Sequence, residues 1–500
     1  MFLTLMNVSC YPSLMIKIKL SNFIFTKSKY SISKGLSRHL GRNLYRSYKP
    51  INLESADLNY DEFLRQVPKQ SSQFDKFFLK ANFKLIVRIA VLIPLLFTRR
   101  KLQNYKSVSL IYGLSYEQIH FGDSTSRLQE FLLSKKIGLS HNDLFYVANL
   151  RHNIISKKSE RIRMCKNIST SLFHDFLSFT DKLRVVLLVS QRLVKYLVML
   201  IYYPIVVHAA QAYVVDDVIF NFLIRNRKIK LIDLIATPSI ITNLPYIFDS
   251  DLHLGKRIMI WYSANSVPIN YRDKNLERTN FNEKYFEFMP LDLHLVWNQL
   301  QKDYLDSVIS PPIPVEVRGS LMFYLPQEQK ISTKEYDIMI FDVTPYESSR
   351  KSEFDNIPIS QNSIYSDHFA TKFLQDLLWS IREIEGRFGT KLRVALKPKR
   401  HYTPLHSRKY LAFLECLSES GFIEILEPES DLYKIINESR ISINYPFSSP
   451  AIIARELNIP TVYFLPSDSI NYNSVVDGIE FITDRNKLLD FIMKYRNTGQ

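Results

Sequence analysis

The run Ile441-Ser-Ile-Asn-Tyr-Pro-Phe-Ser-Ser-Pro-Ala-Ile-Ile-Ala-Arg-Glu-Leu-Asn-Ile-Pro-Thr-Val-Tyr-Phe464 decides the fold. Ile441–Asn444 is short, apolar and β-branched, the pattern of a buried strand. Pro446 and Phe447 form a turn. Ser449 stands where a helix N-cap belongs and Pro450 where the first helical residue belongs. A helix over Pro450–Leu457 follows, and Pro460 opens the next strand, Thr461–Phe464. Strand, helix and strand in 24 residues make a unit of a parallel sheet. The unit sets helix N–H groups, a partial positive dipole and two hydroxyls at the carboxyl end of a strand. Open α/β sheets bind ligands there, and phosphates bind there without a Gly-rich loop. A plain Ser-Pro helix cap is the alternative reading of the same residues.

The alternation extends outward from this run. Strands are expected at Asp337–Val343, Leu392–Leu396 and Phe422–Leu426, and helices at Asp367–Arg387, His406–Ser420, Asp431–Glu438 and Arg485–Tyr495. Leu325–Glu335 is polar and aperiodic and reads as a linker. Before it, Ser107–Tyr112, Ile258–Tyr262, Leu293–Trp297 and Val315–Arg318 read as strands, and residues 160–235 read as an apolar helical region. The expected organisation is therefore α/β with two Rossmann-like domains. Residues 51–325 form an N-terminal α/β domain with a helical insertion at about 160–235, and residues 336–495 form a C-terminal domain. No internal sequence repeat is visible.

Composition removes several classes. Only 12 of the 500 residues are Gly, and neither a Gly-x-Gly-x-x-Gly nor a Walker-type loop occurs. Three scattered Cys and 11 His offer no zinc or redox motif, so no protein-held metal is expected and a reducing compartment fits. The net charge is +16, but residues 1–50 hold nine basic side chains and no acid. That leader has little to pack with. It reads as an arm for anionic lipid, a start codon assigned too early, or a transit-type peptide. Leu85–Phe97 and Leu183–Val207 are apolar with basic residues, and Pro94 and Pro204 interrupt them. They read as buried or interfacial helices rather than spans, which need roughly 20 apolar residues. The basic charge does not form a face with interleaved aromatics, so nucleic acid is not an expected partner.

Tyr445-Pro446-Phe447-Ser448-Ser449-Pro450-Ala451, its Ile-Ala-x-Glu-Leu helix and the Pro-x-Val-Tyr strand after it resemble the signature of the polysaccharide biosynthesis PFTS motif proteins. Ser448 stands where the family's name has Thr, hydroxyl for hydroxyl. Met259–Asn265, Val296-Trp297, Val317–Ser320 and Ile340–Val343 fit the same resemblance more loosely. The resemblance implies a bacterial glycosyltransferase of GT-B-like build, with two domains facing a cleft. It would be cytoplasmic, or peripheral on the inner face of the plasma membrane. A nucleotide-sugar donor would be a substrate, no cofactor would be needed, and a glycan or lipid-linked glycan would be the acceptor.

On that expectation, Phe447, Ser448, Ser449 and Ala451 meet the donor's phosphate. Lys397, Lys399 and Arg400, in Leu396-Lys-Pro-Lys-Arg-His401, follow a strand and add cations; a solvated basic loop is their alternative reading. In sialic acid and Kdo transferases a His-Pro pair and a Ser-rich turn hold the phosphate, and Lys397-Pro398 and Ser448-Ser449 stand in similar order. Ser263 and Asn265 end a strand and are acceptor-side candidates. Asp123 and Glu117 are the catalytic-base candidates, with Asp342 and His120 behind them. Asp216-Asp217 falls in a helix and is not a metal-binding Asp-x-Asp. A CDP-polyol phosphotransferase of teichoic-acid type and a non-catalytic assembly scaffold are the competing functions.

Overall fold

The computed structural model describes residues 90–98, 107–114, 145–150, 162–165, 167–200, 213–238, 240, 244–261, 263, 290–309, 312–320, 333–345, 366–399, 401–403, 406–428, 430–472 and 475–495. The basic leader, Glu117, His120, Asp123, Asn265, Arg400 and most of the Leu325–Glu335 linker lie outside the described residues.

The first sheet contains β1 (Ser107–Leu114), β2 (Phe145–Leu150), β3 (Ile162–Cys165), β4 (Lys230–Ala236), β5 (Arg257–Ile260), β6 (Leu293–Val296) and β7 (Val315–Val317). Its spatial order is β3-β2-β1-β4-β5-β6-β7. The pairs β1–β2, β2–β3, β1–β4 and β6–β7 are parallel. The second sheet contains β8 (Tyr336–Phe341), β9 (Val394–Lys397), β10 (Glu424–Ile425), β11 (Ser439–Asn444), β12 (Thr461–Phe464), β13 (Val475–Val476) and β14 (Ile479–Ile482). It runs β10-β9-β8-β11-β12-β14-β13, parallel except for the β13–β14 hairpin at its edge. Each sheet starts in its middle, winds one way for two strands, then returns and winds the other way. The two halves thus share the doubly wound order although they share no sequence repeat.

Ten helices lie among the described residues. They are α1 (residues 90–97), α2 (Ile168–Phe176), α3 (Phe179–Leu200), α4 (Val214–Arg225), α5 (Gln299–Val308), α6 (Asp367–Phe388), α7 (Arg408–Glu419), α8 (Leu432–Asn437), α9 (Ser449–Glu456) and α10 (Arg485–Tyr495). Their ends follow local chemistry. Ser366 caps α6 through the N–H of Phe369, and Gly389 ends it in the left-handed conformation at φ +64°. Asp431 accepts from the N–H groups of Tyr433 and Lys434 to start α8. No helix among the described residues is long and apolar enough to cross a membrane. The described residues fall into two compact units, one holding β1 to β4, the other β6, β7 and the whole second sheet.

The expectation of a wholly helical 160–235 is corrected. Two strands lie in it, β3 and the central β4. Asp233 disguises β4: a carboxylate in the middle of Lys-Leu-Ile-Asp-Leu-Ile-Ala breaks the apolar run. In the fold it is buried and accepts the N–H of Lys256 at 2.8 Å. β2 and the β13–β14 hairpin also went unread. Asp216 and Asp217 do lie in a helix, α4, both buried; Asp216 accepts from Ser169 and Asp217 from Asn221.

Candidate active site

The winding direction of the second sheet reverses between β8 and β11. Strands that leave a sheet on opposite faces open a crevice at their carboxyl ends, the usual ligand position in such sheets. The residues leaving β8 are Asp342-Val-Thr-Pro345, and those leaving β11 are Tyr445-Pro-Phe-Ser-Ser449. The run read first from the sequence therefore sits at the reversal itself.

Each exit is held in an unusual backbone. Tyr445 extends the ladder by donating its N–H to the carbonyl of Phe341 at 2.9 Å. Pro446 has no N–H to continue it. Phe447 then takes φ +56°, and Thr344 on the β8 exit takes φ +40°. Both conformations are rare for residues with a Cβ, and most of all for a β-branched one. The Phe447 ring packs 6.1 Å from Tyr463 and 6.0 Å from Phe481, centroid to centroid, and is buried. Its side chain thus holds the turn from inside the core. Ala451 is likewise fully buried.

The helix start is shifted by one residue from the sequence expectation. Ser448, in extended backbone at φ −91° and ψ 142°, is the N-cap of α9, Ser449 is its first residue, and Pro450 its second. The Ser448 hydroxyl makes no cap bond, and its Oγ is buried with no hydrogen-bond partner. Four residues earlier, Asn444 is fully buried on the last position of β11. Its Nδ2 donates to Ser442, Thr461 and Val462, while its Oδ1 has no partner. The first-turn N–H of Ala451 has no carbonyl within its own helix to bond. A buried hydroxyl and first-turn amides at a dipole's positive end can bind an anion such as phosphate.

The cations are arranged differently from the expectation. The Lys397 ammonium turns towards the β10 side and donates to the carbonyl of Pro428 at 2.5 Å. Lys399 is exposed, and its backbone N–H donates to Asp342 at 3.2 Å. Asp342 is buried, and it accepts also from the Tyr410 hydroxyl at 2.6 Å and from Thr344 at 3.4 Å. Burial pushes its carboxyl above the usual carboxylate range, against the lowering effect of those bonds. Asp342 is therefore an organiser of the β8 and β9 exits, not the accessible base that the sequence offered. Thr344, Tyr410 and Asn444 were missed as site residues. The Asp-Val-Thr-Pro exit was a readable turn signal, but Tyr410 lies 68 residues from Asp342 in the chain and only the fold joins them.

In the first sheet, Thr237 plays the part that Tyr445 plays in the second. It follows β4 and donates its N–H to the carbonyl of Tyr112 on β1 at 3.1 Å. The Ser263 carbonyl accepts from Gln301 at 3.0 Å, which ties the β5 exit to α5. His294 in β6 is fully buried, accepts from the Trp261 indole at 3.1 Å, and is pushed by burial down to about 3. It is a neutral core residue at ordinary pH. Among the described residues no group of three or more His, Cys, Asp or Glu is placed to hold a metal ion.

A model of the polysaccharide biosynthesis PFTS motif proteins matches residues 224–492, just over half of the chain. No curated protein sequence matches it. Among solved structures it is similar to TarM of S. aureus, with 11% identity and a TM-score of 0.31 over 54% of this chain and 48% of that one. It is similar also to the wall teichoic acid polymerase TagF, with 11% identity and a TM-score of 0.38 over 85% of this chain and 90% of that one. A third is the α,α-trehalose 6-phosphate synthase of Burkholderia multivorans, with 8% identity and a TM-score of 0.39 over 78% and 91%. The chain spans about half the length of TarM.

Proposed function

Because the chain belongs to the polysaccharide biosynthesis PFTS motif protein family, we propose that it is a glycosyltransferase that passes a sugar from a nucleotide-activated donor to a glycan acceptor of a bacterial surface polysaccharide. The observation that carries this reading is the buried, unpartnered hydroxyl of Ser448 at the amino end of α9, on the reversal of the second sheet. A buried hydroxyl with no partner costs free energy unless something bonds it. A donor's phosphate would bond it, together with the first-turn amides. When the sugar leaves, negative charge grows on that phosphate, and preorganised donors already aimed at it stabilise the charge without reorganising.

In this proposal the acceptor's hydroxyl proton goes to a carboxylate. Asp123 and Glu117 are the proposed bases. Both follow β1, the strand at which the first sheet reverses. Lys399, exposed after β9, is the proposed cation for the outer phosphate.

The test is a thermal-shift screen of CMP, CDP, UDP and GDP on the full chain. A nucleotide at about 100 times its dissociation constant adds roughly 2.7 kcal/mol of stability. One or two of the four are expected to raise the melting temperature clearly. No rise with any of them at millimolar concentration contradicts the reading.

A further inference from the structure

Outside the site, the first unit carries an apolar face that is exposed among the described residues. On α3, Phe179, Leu183, Leu187 and Val194 are 60, 44, 55 and 61% exposed. Their spacing of four, four and seven puts them on one side of the helix. The opposite side is ordinary core, with Val185 and Val189 buried. On α1, Leu92 is buried while Val91, Ile93 and Phe97 are exposed. The two helices are fastened together. The buried Lys182 ammonium donates to the carbonyls of Leu95 and Thr98 at 3.0 and 3.1 Å, capping the end of α1.

Among the described residues of α1 and α3 the exposed charge has one sign. The only acid in α3, Asp181, is buried and paired with Lys228 at 2.7 Å. From Lys182 to Val215 the sequence holds no Asp or Glu, and none occurs from Lys76 to Tyr116. Arg184 is exposed beside Leu183 and Leu187, and Arg99, Arg100 and Lys101 follow α1 in the chain. An apolar stripe with an exposed arginine beside it, and no exposed carboxylate among the described residues of the two helices, is complementary to anionic headgroups over acyl chains. It is a poor match to itself, because a two-fold contact between copies would set Arg184 and its neighbours against their own like charges. We propose that the exposed apolar residues of α3, with those of α1, dock the protein on an anionic lipid bilayer, lying in the interface rather than crossing it. This inference does not depend on the donor site.

Flotation of the full chain with vesicles tests it. Wild type is expected to bind phosphatidylcholine vesicles carrying about 30% phosphatidylglycerol, to bind pure phosphatidylcholine weakly, and to be released by salt as screening shortens. Leu187→Glu puts a charge on the apolar face and is expected to weaken binding by about tenfold or more. Leu254→Glu makes the same change in charge at a residue that is 68% exposed outside both helices, and is expected to bind like wild type. Leu187→Trp keeps the face apolar, and its emission is expected to shift to the blue when anionic vesicles are added. Equal binding by Leu187→Glu and wild type overturns the proposal, as does an unshifted Leu187→Trp spectrum. Absent vesicle binding also overturns it. If light scattering then shows a wild-type dimer that Leu187→Glu dissociates, a second copy covers the face instead.

Discussion

Asp342 is a carboxyl whose ionisation the fold resists. Burial raises its pKa above the ordinary 3.8, while the Tyr410 hydroxyl, the Lys399 N–H and the Thr344 hydroxyl limit the rise. The folded protein therefore holds this proton at pH values where the unfolded chain has lost it. Where the native state binds more protons, stability falls as pH rises. The stability attached to Asp342 is thus greatest below 3.8, declines as pH rises from there through the raised pKa, and is level above it. Asp342→Asn removes that titration. Urea midpoints of the variant from about pH 4 to 7 are expected to decline less with rising pH than those of wild type. Parallel declines would show that other carboxyls set the slope. At the same scale, Phe447 shows the limit of reading by residue type. The sequence marked it as a ligand contact, yet its ring lies among Tyr463 and Phe481 and its contribution is the turn that delivers Ser448. A φ of +56° costs on the order of 1–3 kcal/mol, which a buried ring of that size can offset.

Elements with local signals were legible, and elements made by tertiary contact were not. α6 announces itself by Ser366 at one end and Gly389 at the other, and β11 with α9 by an apolar strand running into Ser-Ser-Pro. The start of α9 was misread by one residue because two serines precede the proline and either is a good cap type. β4 was lost because its defining contact is distant. Asp233 reads as a helix or loop acid until Lys256 is brought beside it. The same contact explains a glycine. A Cβ on Gly255 would overlap the Asp233 carboxylate and crowd the Ile232 carbonyl, so only glycine lets the β4 and β5 segments approach this closely. Gly255→Ala is therefore expected to cost about 1–3 kcal/mol in chemical denaturation, as overpacking in a filled site does. A loss under about 0.5 kcal/mol would mean that the loop yields, and that Asp233 does not fix β4 as described. α9 is also anchored at its far end. Glu456 accepts from Ser320, and Arg455 donates to the carbonyl of Asp477, whose carboxylate accepts from Asn298 at 2.7 Å. The helix that presents Ser448 is thus fixed at both ends before any ligand arrives.

Across the whole molecule, both sheets wind in the same order, and both are stitched at the reversal by the residue that follows the fourth strand. Tyr445 bonds Phe341 in the second sheet and Thr237 bonds Tyr112 in the first. The two-sheet plan was readable because apolar runs of four to seven residues recur between helices. The shared order was not, since pairing is non-local and leaves no mark in either strand alone. What distinguishes the second reversal is its polar equipment: Asn444 and Ser448 each carry a buried oxygen with no partner. The central claim is that a donor's phosphate supplies the missing partner. Titration of wild type and Ser448→Ala with the nucleotide that gives the largest thermal shift tests it most directly. The hydroxyl makes no cap bond and is buried without a partner, so its removal is expected to leave the melting temperature of the unliganded protein unchanged or raised, where loss of a working cap would cost about 1 kcal/mol. A hydrogen bond to a charged phosphate is worth about 1.5–3 kcal/mol, so affinity is expected to fall by about 10- to 150-fold. If Ser448→Ala binds the nucleotide as tightly as wild type, the phosphate lies elsewhere and Ser448 only begins a helix.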